Sequence, residues 1–134
     1  MTDKFISPFK PKKMTNLKPN NFKIYTFNAG YKKYKEDLLI IVFDHPISVA
    51  AVYTKSSTPA APIIWNKKKT NKNLCKVLIV NSGIANAFTG IQGINVINQY
   101  VKLASKIFRC SFDQIFVSST GVIGEQLDPE PIKN

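Results

Sequence analysis

The chain has 134 residues, 44% of them hydrophobic and 20% charged, and a formal net charge of +11 at pH 7. That length and balance suit one globular domain with a core of its own. No apolar run is long enough for a membrane span and the first twenty residues hold no apolar leader, so the expected location is the cytoplasm.

The charge is unevenly spread. Residues 1–76 carry 15 Lys against 4 acids, whereas residues 77–134 carry 4 basic and 4 acidic residues. Of the 19 basic residues 18 are Lys, while proteins that grip phosphates or read base edges ordinarily use the bidentate fork of Arg. A solvated basic surface is the expected reading, and nucleic acid is not the expected partner. Cys75 and Cys110 lack Cys or His neighbours at metal-ligand spacing, so no metal site is expected; with no export signal in view, both are expected as reduced thiols rather than as one bridge.

Residues 1–21 hold Pro8, Pro11 and Pro19 with the cluster Lys10-Pro11-Lys12-Lys13, and read as a flexible basic arm ahead of a domain over residues 22–134. Lys23 to Ala29 alternates as a strand does, and Gly30 begins its turn. Leu38 to Phe43 is a continuous apolar run bounded by Asp37 and Asp44, the pattern of a central strand covered on both faces. His45, the sole histidine, stands before Pro46 and reads as a turn residue rather than a catalytic base. Ala50–Thr54 and Pro62–Trp65 read as short strands, and the Lys67 to Asn73 stretch as a solvated loop.

Lys76 to Val80 reads as the next strand. The clearest element follows it: Ile94, Val96, Ile97, Tyr100, Val101, Leu103, Ala104, Ile107 and Phe108 fill one half of a helical wheel, and polar residues fill the other. This is a helix laid on one side of a sheet, with Lys106 and Arg109 in its last turn. Gln114 to Val117 reads as a further strand, and Asp128 caps a final helix with Pro129 at its first position.

Two stretches carry the chemistry. Val80-Asn81-Ser82-Gly83-Ile84-Ala85-Asn86-Ala87-Phe88-Thr89-Gly90 and Ser118-Ser119-Thr120-Gly121-Val122-Ile123-Gly124 each follow a short apolar run and then switch to small polar residues, as a buried strand does when it hands over to a turn. Glycine and small hydroxyl residues leave backbone N–H groups uncovered, and such groups bind a carboxylate, a phosphate or a developing oxyanion.

Both stretches resemble the ornithine acetyltransferase (glutamate N-acetyltransferase) family of arginine biosynthesis, through Asn81-Ser82-Gly83, Ala85-Asn86-Ala87, Thr89-Gly90 and Ser119-Thr120-Gly121-Val122-Ile123-Gly124. Ala29-Gly30, Lys32-Lys33, the Asp37 to Asp44 run, Ala51-Val52-Tyr53-Thr54 and Ala60-Ala61-Pro62 follow the family's order of segments, so the resemblance spans Phe22 to the last residue. It implies an α/β fold, a mixed sheet layered with helices, shared with self-processing aminopeptidases.

It also implies transfer of an acetyl group from N-acetylornithine to glutamate through an acetyl-threonine, with Thr120 and Gly121 as the oxyanion hole and Asn86 and Thr89 beside the site as substrate-binding or supporting groups. No cofactor is implied; acetyl-CoA enters as a co-substrate in some family members. The nucleophilic threonine belongs to a second chain of the self-cleaved precursor, so the implied partners are that remainder, in a hetero-oligomer of cleaved chains, and amino-acid substrates. No threonine of this sequence sits in the family's cleavage pattern, and 134 residues are expected to be inactive alone. Ile84 and Phe88 depart from the family pattern, where Asn and a small residue are usual. A non-catalytic binding domain with a basic surface and a self-processing peptidase relative are the alternatives.

Overall fold

A computed structural model of the chain describes residues 20–69 and 74–134. The expected basic arm lies outside the described residues as far as residue 19; at its end the Asn21 carbonyl accepts the Asp44 N–H at 2.8 Å.

Four strands form one sheet in sequence order: β1 (Phe22–Phe27), β2 (Leu38–Ser48), β3 (Leu74–Ile84) and β4 (Ile115–Val122). β1 pairs β2 and β2 pairs β3 antiparallel, while β3 pairs β4 in parallel. A parallel pair needs a crossover, and here it is the helix α2 (Gly90–Ile107) that the apolar stripe predicts. The expected mixed α/β sheet is therefore present. α2 buries Ile97, Tyr100, Val101 and Ala104 against Val77 and Ile79 of β3 and Ile115 and Val117 of β4.

The helices lie on one face only. Along β3 the residues Cys75, Val77, Ile79 and Asn81 are buried, while Lys76, Leu78, Val80 and Ser82 on the other face are half-buried. The expected double-sided cover of β2 is thus absent among the described residues: Leu38 is buried but Leu39 to Phe43 are half-buried. β2 also runs past the apolar segment to Ser48, with a register shift between Val42 and Ile47.

Two expected strands are not strands. Pro62–Trp65 lies in a helix, α1 (Ala61–Lys67), with Pro62 in its first turn, where a missing N–H costs nothing. The apolar pair Ile63-Ile64 imitates a strand in sequence, but packing decides otherwise. The Trp65 indole N–H donates to the Ile115 carbonyl at 3.2 Å, and the Asn66 amide bonds both the N–H and the C=O of Val117, at 3.1 and 2.8 Å. α1 thereby occupies the outer edge of β4, which would otherwise present unpaired backbone groups. Ala50–Thr54 forms no ladder, and Val52 is 99% exposed.

Lys69, expected in a solvated loop, is buried: its ammonium donates to the Phe112 carbonyl and stands 4.2 Å from the centre of the Trp65 ring. At the far end α3 (Glu130–Lys133) starts one residue later than expected, with Pro129 as its N-cap and the Asp128 carboxylate accepting the Glu130 N–H at 3.0 Å.

Candidate active site

The two small-residue stretches meet side by side. In the parallel register Asn81, Ser82, Gly83 and Ile84 of β3 lie against Ser119, Thr120, Gly121 and Val122 of β4. The expected turns are therefore strand: pairing carries both stretches onward as a ladder, and the chain leaves the sheet only past Ile84 and Val122. Beyond the ladder Ala85 N–H still bonds the Val122 carbonyl at 2.9 Å, and Gly124 N–H bonds the Ala87 carbonyl at 2.9 Å.

Alternation along the strands fixes where each group points. Val77 and Ile79 face the helices, so Ser82 faces away, and its register partner Thr120 shares that helix-free face. Thr120 is exposed, and its hydroxyl has no hydrogen-bond partner among the described residues. The backbone alternates as well. Val117 turns both its polar groups to the outer edge, toward Asn66, and Val122 turns its carbonyl inward, toward Ala85. By that parity the Gly121 N–H points to the outer edge. The hydroxyl of Thr120, on the helix-free face, and the amide of Gly121, at the outer edge, are thus neighbours at one corner of the sheet.

Two glycines permit the corner. Gly83 and Gly121 hold φ of 122° and 136°. A Cβ on Gly121 would stand 2.1 Å from the Gly83 carbonyl oxygen, and one on Gly83 would stand 2.9 Å from the Tyr31 Cβ.

Tyr31 belongs to a loop that the sequence marks only as a family segment, without a role. The buried Asp37 carboxylate accepts the Ala29 N–H at 2.7 Å and the Lys32 N–H at 2.6 Å, and its carbonyl accepts the Ser82 N–H at 2.7 Å. The Tyr31 hydroxyl donates to the Asp128 carbonyl at 2.5 Å, and burial, with the Asp128 and Asp37 carboxylates nearby, pushes its pKa up. Held this way, the Lys32 ammonium donates to the Ser82 hydroxyl on the same face as Thr120. No local pattern signals a contact across fifty residues of sequence.

Asn86 and Thr89 lie behind this corner and are buried, 0% and 6% exposed. Their polar groups meet one another: the Thr89 hydroxyl donates to the Asn86 side-chain oxygen at 2.8 Å, and the Asn86 amide donates to the Gly93 carbonyl at 3.1 Å. The Asn86 carbonyl accepts the Ala61 N–H at 3.1 Å, so the knot joins the motif loop to α1 and α2. Phe88, one of the two departures from the family pattern, is 85% exposed at the loop's tip; Ile84 is a half-buried β3 residue packed against the core.

Other groups stand apart. His45 is exposed on β2, about 20 Å along the strand from Leu38. Cys75 and Cys110 are free thiols, and burial raises both pKa values, that of Cys75 to about 11. Among the described residues no group of His, Cys, Asp and Glu is arranged to hold a metal, and no helix is long and apolar enough to cross a membrane. A groove of about 560 Å³ between β2, α2 and α3 lies on the helix side, away from Thr120.

The architecture defines the class: an α/β protein with a four-stranded mixed sheet and its polar corner where two parallel strands end. More particularly, the chain belongs to the ArgJ family, whose pattern matches residues 23–134. It is 41% identical over 125 residues to the arginine biosynthesis bifunctional protein ArgJ of Agrobacterium fabrum, covering 92% of this chain and 30% of that protein. To the ArgJ protein of Bartonella quintana it is 39% identical over 131 residues, covering 96% of this chain and 32% of that one. The crystal structure of the Bacillus halodurans ArgJ protein matches with a TM-score of 0.80 at 35% identity, over 85% of this chain and 60% of that one. The ornithine acetyltransferase of Mycobacterium tuberculosis, solved with ornithine, matches with a TM-score of 0.77 at 27% identity, over 87% of this chain and 64% of that one. The chain spans about 30% of the length of the first curated relatives it matches.

Proposed function

We propose that this chain is the part of an ornithine acetyltransferase that stabilises the oxyanion of acetyl transfer. The single observation that supports this reading is the adjacency, at one corner, of the unpartnered Thr120 hydroxyl and the Gly121 N–H that strand parity turns outward. Two preset donors at one point are what a tetrahedral acyl intermediate requires. The ornithine bound to the Mycobacterium tuberculosis relative supports the substrate class.

In this reading the nucleophile is a threonine of the precursor's second chain, outside residues 1–134. Its hydroxyl attacks the acetyl carbonyl of N-acetylornithine, and the oxyanion forms against Thr120 and Gly121. Collapse breaks the amide bond, the ornithine amine leaves with a proton, and acetyl-threonine remains. The glutamate amine then attacks that ester, passes through a second oxyanion at the same corner, and departs as N-acetylglutamate, restoring the threonine hydroxyl. Acetyl-CoA serves as an alternative acetyl donor, and no cofactor takes part. Asn86 and Thr89 act as supporting groups that hold the motif loop beside the substrate. The cleaved chains remain together as a hetero-oligomer.

The test is Thr120→Ala in the assembled, self-cleaved enzyme. The expected result is a fall in kcat of about 10²–10³-fold, the loss of roughly 2.7–4 kcal/mol of transition-state stabilisation, with KM little changed and most activity kept in Thr120→Ser. A folded Thr120→Ala enzyme with kcat within a few-fold of the original would overturn the assignment.

A further inference from the structure

We infer that Lys32 is a specificity-determining residue: with Ser82 it forms a carboxylate-binding subsite beside the acyl-transfer corner. The inference rests on the acyl-transfer reading above and deepens it by naming what holds the amino-acid end of the substrate.

Three observations carry it. The Lys32 ammonium is brought to the Ser82 hydroxyl, and Ser82 is the register partner of Thr120. Neighbouring strands lie about 4.8 Å apart, so the cation stands one strand from the oxyanion donors. Next, Lys32 is half-buried and forms no ion pair with a carboxylate among the described residues. A half-buried cation donating only to a neutral hydroxyl keeps donors and charge in hand for an anion. Finally, the cation is positioned from behind: Asp37 holds the Lys32 N–H at 2.6 Å, and Tyr31 is anchored to the Asp128 carbonyl. A flexible lysine tied at its backbone and its tip loses less freedom when it binds.

The spacing suits an N-acetylated α-amino acid. Its carboxylate lies one carbon beyond the acylated nitrogen, within roughly 4 Å of the acetyl carbonyl carbon by ordinary bond lengths. With the acetyl oxygen at Thr120 and Gly121, the carboxylate reaches toward Ser82 and Lys32. The free amino-acid acceptor carries the same group at the same distance from its attacking amine, so one subsite serves both half-reactions.

The experiment uses the assembled enzyme and compares N-acetylornithine with its C-terminal carboxamide, in which the carboxylate charge is gone. Lys32→Met is expected to shrink the preference for the acid by about 10–100-fold, chiefly through KM, as loss of a charge-assisted bond predicts. Lys32→Arg is expected to restore much of the preference, and Ser82→Ala, which frees the lysine tip but keeps its charge, to shrink it by a smaller factor. An unchanged acid-to-amide ratio in Lys32→Met, or in Ser82→Ala where Lys32→Met does not assemble, overturns the subsite. The two readings fail separately: Thr120→Ala tests kcat on both substrates, whereas Lys32 variants test the ratio between them.

Discussion

Gly121 lies opposite Gly83 in the parallel β3–β4 register, and both residues hold positive φ, 136° and 122°. Each glycine leaves room there for a neighbour's backbone.

That pairing makes Gly121 a position where fold and chemistry are entangled. A Cβ there would stand 2.1 Å from the Gly83 oxygen, whereas at Gly124, with φ of 89°, nothing lies within 4 Å. Gly121→Ala is expected to cost about 2–4 kcal/mol, overpacking added to backbone strain, and Gly124→Ala only about 1–2 kcal/mol, the strain alone. Thermal or urea unfolding of the two variants measures the difference; equal midpoints would contradict it. The same collision means that a bulky substitution such as Gly121→Val reports on the strand pair before it reports on the oxyanion.

The knot of Asn86, Thr89 and Gly93 reverses an ordinary rule. Replacing a helical glycine with alanine usually stabilises by about 1 kcal/mol. In α2 a Cβ on Gly93 would meet the Thr89 hydroxyl at 2.2 Å and the Asn86 side-chain oxygen at 2.4 Å. Gly93→Ala is therefore expected to destabilise by about 1–3 kcal/mol. A raised unfolding midpoint in that variant would show that the knot yields.

Alkali should unfold the chain more readily than the sequence alone suggests. The fold raises the pKa of Cys75 from 9.0 to about 11 and also raises those of Tyr31 and Tyr100, in each case mainly by burial. A raised acid keeps its proton in the fold and gives it up more easily when unfolded. Its contribution is complete below the unfolded value and is lost as pH climbs, from 9 to about 11 for Cys75. Melting temperatures recorded at intervals between pH 8 and 11 are expected to fall steeply above pH 9. A flat profile to pH 10.5 would show that these groups titrate as they do in the unfolded chain.

Much of this was legible in the residues, and the reasons for the exceptions are physical. The stripe from Ile94 to Phe108 identifies α2 because a helix on a sheet needs one apolar face and no more. The apolar runs before Asn81 and Ser118 locate β3 and β4, and the small-residue blocks identify the family. α1 is hidden because Ile63, Ile64 and Trp65 suit either structure, and the contacts that decide, Trp65 to Ile115 and Asn66 to Val117, span about fifty residues. The motif turns read as turns because composition does not reveal that two chain segments will pair in parallel. Lys32 is conspicuous in sequence only as part of a lysine pair; its contact with Ser82 exists because Asp37 and Tyr31 shape the loop that carries it.

The parallel pairing of β3 and β4 also has a kinetic side. No hairpin can bring Ser82 to Thr120, since the chain between them must first run through α2 and return. Closing so long an excursion costs entropy before any ladder bond repays it, and contacts of this kind form slowly. We expect the corner to be completed among the last events of folding, after the β2–β3 pairing and the docking of α2, which pulse-labelled hydrogen exchange at Ala85 and Gly124 would time.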